Sequence, residues 1–396
     1  MEGHGARRAT GPRYAAVLGL ALALALLGGL VAQAQGASWA TFELEDPEVQ
    51  FGRAVVFRMQ AEPDRDVDRV WLVYRLEGER ARNRASAIFS SRDGLEAEWT
   101  WELESGIMAP GSTIYYRWEL EDDEGERLSS PERSFQYTDL RFSWDVVRDG
   151  DLEVYFYRDR SLAADVLAAG LDAFDRIAEG TGMVPLRPIR VYIYASQRDM
   201  SGAIPSRSEG FDSRTVTLGM SMGADALVLL GADPGILETT AHELSHAVLH
   251  QYTDSPFADL PRWLDEGLAM YAEGTLPRDN ARALERATKQ GTLLSLRAMT
   301  SYPGDPQLVD LFYGQAYSLV AYLIEEQDAE SMGDLLALLA EGVPVDEALR
   351  ESYGFGLEEL ETGWLAHLGV SEPAASATGR FGELPEPGAA VLPWAA

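Results

Sequence analysis

The stretch Asp233-Pro-Gly-Ile-Leu-Glu-Thr-Thr-Ala-His242-Glu243-Leu-Ser-His246 constrains this chain more than any other segment. Asp233 is a good helix N-cap, Pro234 suits the first helical position, and apolar residues follow at helical spacing. The pair His242 and His246 is therefore predicted to lie within a helix. Residues four apart sit one above the other on a helix, so both imidazoles can point at a single ion. Glu243 is rotated by about 100° from His242. Its carboxylate then faces the open fourth position of such an ion. Any fold this chain adopts must bring a third donor up to this helix.

Two places offer that donor. His250 continues the four-residue ladder, but two turns, about 12 Å of helix rise, separate it from His242, and no single ion spans that distance. His250 is expected beside the site or on the surface. The chain has no cysteine, so thiolate ligands, disulfides and cysteine nucleophiles are excluded. The better candidate is Glu266, in Leu260-Pro-Arg-Trp263-Leu-Asp265-Glu266-Gly267-Leu-Ala-Met-Tyr271-Ala-Glu273. Pro261 can open a second helix, returning beside the first after a loop that contains Asp254-Ser-Pro256.

At these two motifs the sequence resembles the gluzincins, whose third ligand is a glutamate on the helix after H-E-x-x-H. Trp263-Leu-Asp-Glu-Gly-Leu-Ala is similar to the W-L-N-E-G-F-A segment of M1 aminopeptidases and peptidase-MA-like metallohydrolases. The metzincin pattern fails, because its helix-breaking glycine is missing. The resemblance covers roughly Leu140 to Leu368. It implies a thermolysin-like catalytic domain, one zinc ion held by His242, His246 and Glu266, and peptide hydrolysis with Glu243 as general base. Tyr313-Gly-Gln-Ala-Tyr317 is similar to the M1 Y-x-K-G-x-x-L-L helix, which implies Tyr313 as the donor that stabilises the oxyanion. Tyr317, one turn on, competes for that role, and plain packing on an amphipathic helix accounts for either tyrosine as well.

Two departures from the family pattern bear on substrate and support. The M1 G-x-M-E-N strand, whose glutamate binds a free amine, corresponds to Thr215-Val-Thr-Leu-Gly-Met-Ser-Met-Gly-Ala-Asp225, which has no Glu-Asn. Aminopeptidase activity is therefore not implied, although such a strand can still take an extended peptide by β-augmentation. Thermolysin-type enzymes also place an aspartate four residues after the ligand glutamate, where this chain has Met270. Ligating histidines normally donate their other N–H to an acceptor, and Asp265 and Glu238 are the candidates.

The remainder frames this site. Arg7, Arg8 and Arg13 precede an uncharged apolar run from Ala15 to Ala32, and Ala32-Gln33-Ala34 is an A-x-A-like cleavage site. Residues 1–34 read as an export signal, or, if uncleaved, a membrane anchor; either places the protein outside the cytoplasm, secreted or in the cell envelope. Residues 38–139 alternate apolar and polar in short runs such as Val55–Met59, Val70–Leu76, Ala97–Leu103 and Thr113–Leu120, separated by turn residues. This pattern predicts an all-β sandwich of immunoglobulin or fibronectin type. Its tryptophans, Trp71, Trp99, Trp101 and Trp118, are expected mainly in the core. Residues 140–370 read as an α+β catalytic domain: a small sheet (Leu152–Tyr157, Ile189–Tyr194, Thr215–Gly219, Ala226–Leu230), a helix over Ser161–Glu179, and helices from Asp233 to about His367. Residues 371–396, rich in Pro, Gly, Ala and Ser, read as a flexible tail.

With 64 acidic against 33 basic residues the net charge is −31, which repels a phosphate backbone and argues against nucleic acid. The expected partner is a peptide or protein substrate. Two other readings stand: a cell-envelope adhesion or scaffold protein with a structural zinc site, and a zinc hydrolase of another amide or ester.

Overall fold

The computed structural model describes residues 38–370, apart from 80, 92–93, 104–107, 205–218, 222–224 and 254–259. The predicted export signal, the tail, most of the Thr215–Gly219 strand and the Asp254-Ser-Pro256 loop lie outside the described residues.

The N-terminal part is β-rich. One antiparallel sheet has the order β1 (Ala40–Leu44), β3 (Ala54–Pro63), β7 (Leu95–Glu102), β6 (Ile88–Ser90), with β2 (Glu48–Gln50) also paired to β3. The other runs β10 (Arg133–Tyr137), β8 (Ser112–Asp122), β4 (Val67–Leu76), β5 (Asn83–Ser86), with β9 (Arg127–Ser129) on β8. Alternation decides which side chains face inward. Val55, Phe57 and Met59 of β3 meet Ile114, Tyr116 and Trp118 of β8 in one buried cluster, and the Phe57 and Tyr116 rings lie edge-on at 5.2 Å. The two sheets thus share a single core. Trp118 is fully buried, and at its margin Trp99 stacks on Tyr74 while Trp101 packs against the same ring at a tilt. Trp71 differs: it lies beneath the Arg84 guanidinium at 4.2 Å.

A third, mixed sheet follows, in the order β11 (Asp145–Asp149), β12 (Leu152–Phe156), β13 (Ile189–Tyr194), β15 (Ala226–Leu230), β14 (Gly219–Ser221). Strands β12, β13 and β15 run parallel, and the two edge strands are antiparallel. Central parallel strands are covered on both faces, which explains the nearly unbroken apolar runs Ile189–Tyr194 and Ala226–Leu230. One face, with Val154, Val191 and Leu229, packs under helices α1 (Arg160–Thr181) and α3 (Ile236–Thr253). The other face, with Tyr192, Tyr194, Val228 and Leu230, packs on Phe142, Trp144 and Phe51, next to the short helix α2 (Gln197–Met200). Phe51 belongs to the β-rich part, so the two parts meet through an aromatic layer. Asp139, fully buried between them, accepts from the Arg141 guanidinium and from the Tyr194 hydroxyl.

After β15 the chain is helical, with α4 (Arg262–Ala272), α5 (Arg278–Gln290), α6 (Val309–Ala321), α7 (Ala329–Ala340), α8 (Val345–Ser352) and α9 (Leu357–His367). The chain is therefore a β-rich N-terminal region followed by a mostly helical C-terminal domain built on a small sheet. Among the described residues no helix is long and apolar enough to cross a membrane.

Candidate metal centre

Helix α3 begins at Ile236, two residues later than the Asp233–Pro234 signal predicts. Asp233 instead folds a turn: its carboxylate accepts from the Gly235 N–H and the Thr239 hydroxyl, both at 2.9 Å. Leu244, Ala247 and Val248 anchor the helix in the core, and His242, Glu243 and His246 are left half-buried. Pro261 stands immediately before α4, which carries Asp265 and Glu266, both buried, against α3.

This packing brings His242, His246 and Glu266 together, with one ligand-type atom of each lying within 4.8 Å of the others. Glu266 Oε2 is 3.3 Å from His242 Nε2 and 3.7 Å from His246 Nε2. Tetrahedral zinc with bonds of about 2.0–2.2 Å places its ligand atoms about 3.3–3.6 Å apart. Glu266 Oε2 is also a buried carboxylate oxygen with no hydrogen-bond partner, a costly state unless a cation answers it. The residues fit a zinc ion.

The far side of each imidazole is fixed. His242 Nδ1 meets Glu273 Oε1 at 2.9 Å and His246 Nδ1 meets Asp265 Oδ1 at 2.9 Å. A carboxylate can only accept, so each Nδ1 carries the proton and each Nε2 turns inward. Asp265 is the acceptor expected from the sequence. Glu238 is not: it is exposed on α3, and Glu273, just past the end of α4, takes its place. Glu273 follows Glu266 by two helical turns, and that seven-residue spacing is the one sequence signal that could have pointed to it.

The charges reinforce one another. Burial disfavours a charged His242, yet the carboxylates of Glu266, Glu273 and Glu243 around it outweigh this and raise its pKa to about 10. Burial alone would raise Glu266, but His242, His246 and Tyr302 hold its carboxyl below the usual range. His246 and Arg262 likewise overcome the effect of burial on Asp265 and lower it. The two imidazoles are thus surrounded by the carboxylates of Glu266, Glu273 and Asp265, whose negative charge a cation would balance.

Of the two tyrosines on α6, Tyr313 stands beside the centre, its ring 6.4 Å from that of His242. Burial, with the charge of Glu266 second, pushes its phenol up to about 12. Tyr317 packs against Tyr271 instead, with ring centroids 6.3 Å apart. His250 is exposed one turn beyond His246, their rings 6.4 Å apart. Tyr302 is a neighbour that the sequence did not disclose. Its hydroxyl donates to Glu266 Oε1 from the irregular segment between α5 and α6, where no periodicity marks it.

The Peptidase MA superfamily matches residues 169–370, half of the chain, and the chain belongs to that superfamily. No curated protein matches it. Among solved structures it is similar to a mutant two-domain M1 zinc metallopeptidase bound to L-tryptophan, with 12% identity over 82% of this chain and 93% of that one and a TM-score of 0.35. A mutant M1 zinc metallopeptidase from Deinococcus radiodurans bound to Tyr-Ser-Ala gives the same identity, coverage and score. A carbohydrate-binding module of family 56, a β-1,3-glucan binding domain, is 14% identical over 24% of this chain and 98% of its own, with a TM-score of 0.18.

Proposed function

We propose that this protein is a zinc-dependent peptidase acting outside the cytoplasm. The observation that carries the reading is the inward-facing set of His242 Nε2, His246 Nε2 and the unpartnered Glu266 Oε2, backed by Asp265 and Glu273. These three side chains would hold the ion. A bound zinc supplies Lewis-acid polarisation of the scissile carbonyl and of water. Glu243, next to His242 and in no ligand position, takes a proton from the attacking water and passes it to the leaving amine. Tyr313, whose raised pKa of about 12 keeps its proton at neutral pH, donates to the oxygen on which negative charge develops. Edge strand β14 offers backbone groups to an extended peptide. Nothing in its sequence supplies the Glu-Asn pair that reads a free amine, so the proposal extends to peptide-bond hydrolysis and not to aminopeptidase specificity.

The arginines and A-x-A site of residues 1–34 support export, with a mature chain starting near Gln35. The two sheets packed on one core support an immunoglobulin- or fibronectin-like unit over 38–139, ahead of a catalytic unit over 140–370.

Metal analysis combined with a peptide-library digest tests the proposal. Glu243→Gln is expected to retain zinc and lose turnover, and undiminished cleavage by that variant removes Glu243 from the mechanism. Glu266→Ala is expected to lose zinc, and an unchanged zinc content places the third ligand elsewhere.

A further inference from the structure

We infer that Tyr302 is a positioning residue that makes Glu266 a one-oxygen ligand. The inference rests on the reading of Glu266 as a metal ligand and adds how that ligand is set. The two oxygens of Glu266 have different fates. Oε1 accepts from the Tyr302 hydroxyl, and Oε2 faces the two imidazole nitrogens with no hydrogen-bond partner. A carboxylate with both oxygens free can bind an ion through one or through both. A phenol proton on Oε1 occupies that oxygen and leaves only Oε2 for the ion. A fourth position on the ion would then stay available for water or a substrate oxygen, which a catalytic site requires and a closed structural site does not.

Tyr302 is itself held in place. The Arg262 guanidinium lies 5.4 Å from its ring centroid and Phe312 packs at 5.7 Å. Arg262 also donates to Asp265 Oδ2 at 2.7 Å, and Asp265 is the acceptor that fixes His246. One guanidinium therefore braces two of the three ligands, one through Asp265 and the other through the tyrosine ring. Tyr302 is about half exposed, at 51%, so the core does not need this residue for its packing. A half-exposed phenol whose hydroxyl reaches a carboxylate that is 3% exposed, 36 residues away in the chain, indicates a role at the site.

The test is Tyr302→Phe, which keeps the ring between Arg262 and Phe312 and removes only the hydroxyl. Cobalt(II) replaces zinc as a spectroscopic probe, zinc affinity is measured by chelator competition, and melting is followed on the metal-free protein. With Oε1 released, Glu266 is expected to bind through both oxygens, lowering the visible cobalt absorption by about twofold or more as the coordination number rises. Zinc affinity is expected to fall by roughly 10–100-fold, with the metal-free melting temperature unchanged. Superimposable cobalt spectra with zinc affinities within about twofold overturn the inference. So does a lowered metal-free melting temperature with an unaltered cobalt spectrum, which assigns the hydroxyl to folding alone. If the wild-type protein takes up neither cobalt nor zinc, the metal-site reading falls first and this inference with it.

Discussion

Gly267 follows Glu266 on α4, and replacing it with alanine separates two arguments that predict opposite signs. Helix propensity alone predicts a gain of up to about 1 kcal/mol, because glycine is a poor residue in a helix interior. The structure predicts a loss. A Cβ on Gly267 would lie 2.5 Å from the Ala316 carbonyl oxygen and 2.5 Å from Val320 Cγ2, both on α6. The carbonyl belongs to the helix backbone and cannot rotate away. Ordinary contacts need about 3.5–4.0 Å, so α4 must move from α6 by about 1 Å. Overpacking of this kind costs about 1–3 kcal/mol, occasionally more. Set against the propensity gain, a net loss of about 1–2 kcal/mol remains. For a unit of this size that is a fall in Tm of roughly 2–8 °C. The same movement shifts Glu266 relative to His242 and Tyr313, and a displacement of about 1 Å can cost on the order of 100-fold in activity. Thermal melting of the metal-free Gly267→Ala protein, with zinc titration beside it, reads both effects. A Tm equal to or above wild type with unchanged zinc affinity would refute the close approach of α4 and α6.

Three further outcomes follow from the same geometry. Glu273→Gln weakens the acceptor that orients His242 and is expected to lower zinc affinity by roughly 10–100-fold, measured by competition with a chelator. His250→Ala is expected to leave zinc content at the wild-type level, because the residue is exposed beyond the ligand set; loss of metal would put it back among the ligands. Asp346 accepts from the Leu357 N–H at 2.8 Å, and this bond, with the charge of Arg350, holds its carboxyl below the ordinary 3.8. A depressed carboxyl contributes stability above its unfolded pKa and loses it as pH falls through the lower folded value. The Tm deficit of Asp346→Ala should therefore be full at pH 7 and vanish in strong acid; a deficit independent of pH would deny the carboxylate its role.

The local parts of this protein were readable from the sequence because their rules are local. Four-residue spacing puts His242 and His246 on one face of α3, and Pro261 marks the start of α4. The apolar runs of β13 and β15 gave strands with boundaries matching the structure, since strands covered on both faces have no polar positions to blur them. The edge strands β2, β5, β6 and β9 and the hairpin strand β11 went unread, because three to five half-exposed residues leave little pattern. The predicted helix start at Asp233 was early because the same carboxylate that can cap a helix also closes a turn over Gly235.

The zinc-type site itself divides in the same way. The sequence by itself determined the two histidines, the adjacent Glu243 and a second helix bearing Glu266, all consequences of helical repeat and helix-start chemistry. Only the tertiary structure decided which oxygen of Glu266 faces the imidazoles, that Glu273 and not Glu238 holds His242, that Tyr313 and not Tyr317 stands over the site, and that Tyr302 reaches Glu266. Those contacts join residues 31 and 36 positions apart, between elements whose approach is set by Gly267 and by the packing of α4 on α6. No periodicity in the chain encodes a distance between two helices; the shapes of the side chains that separate them do.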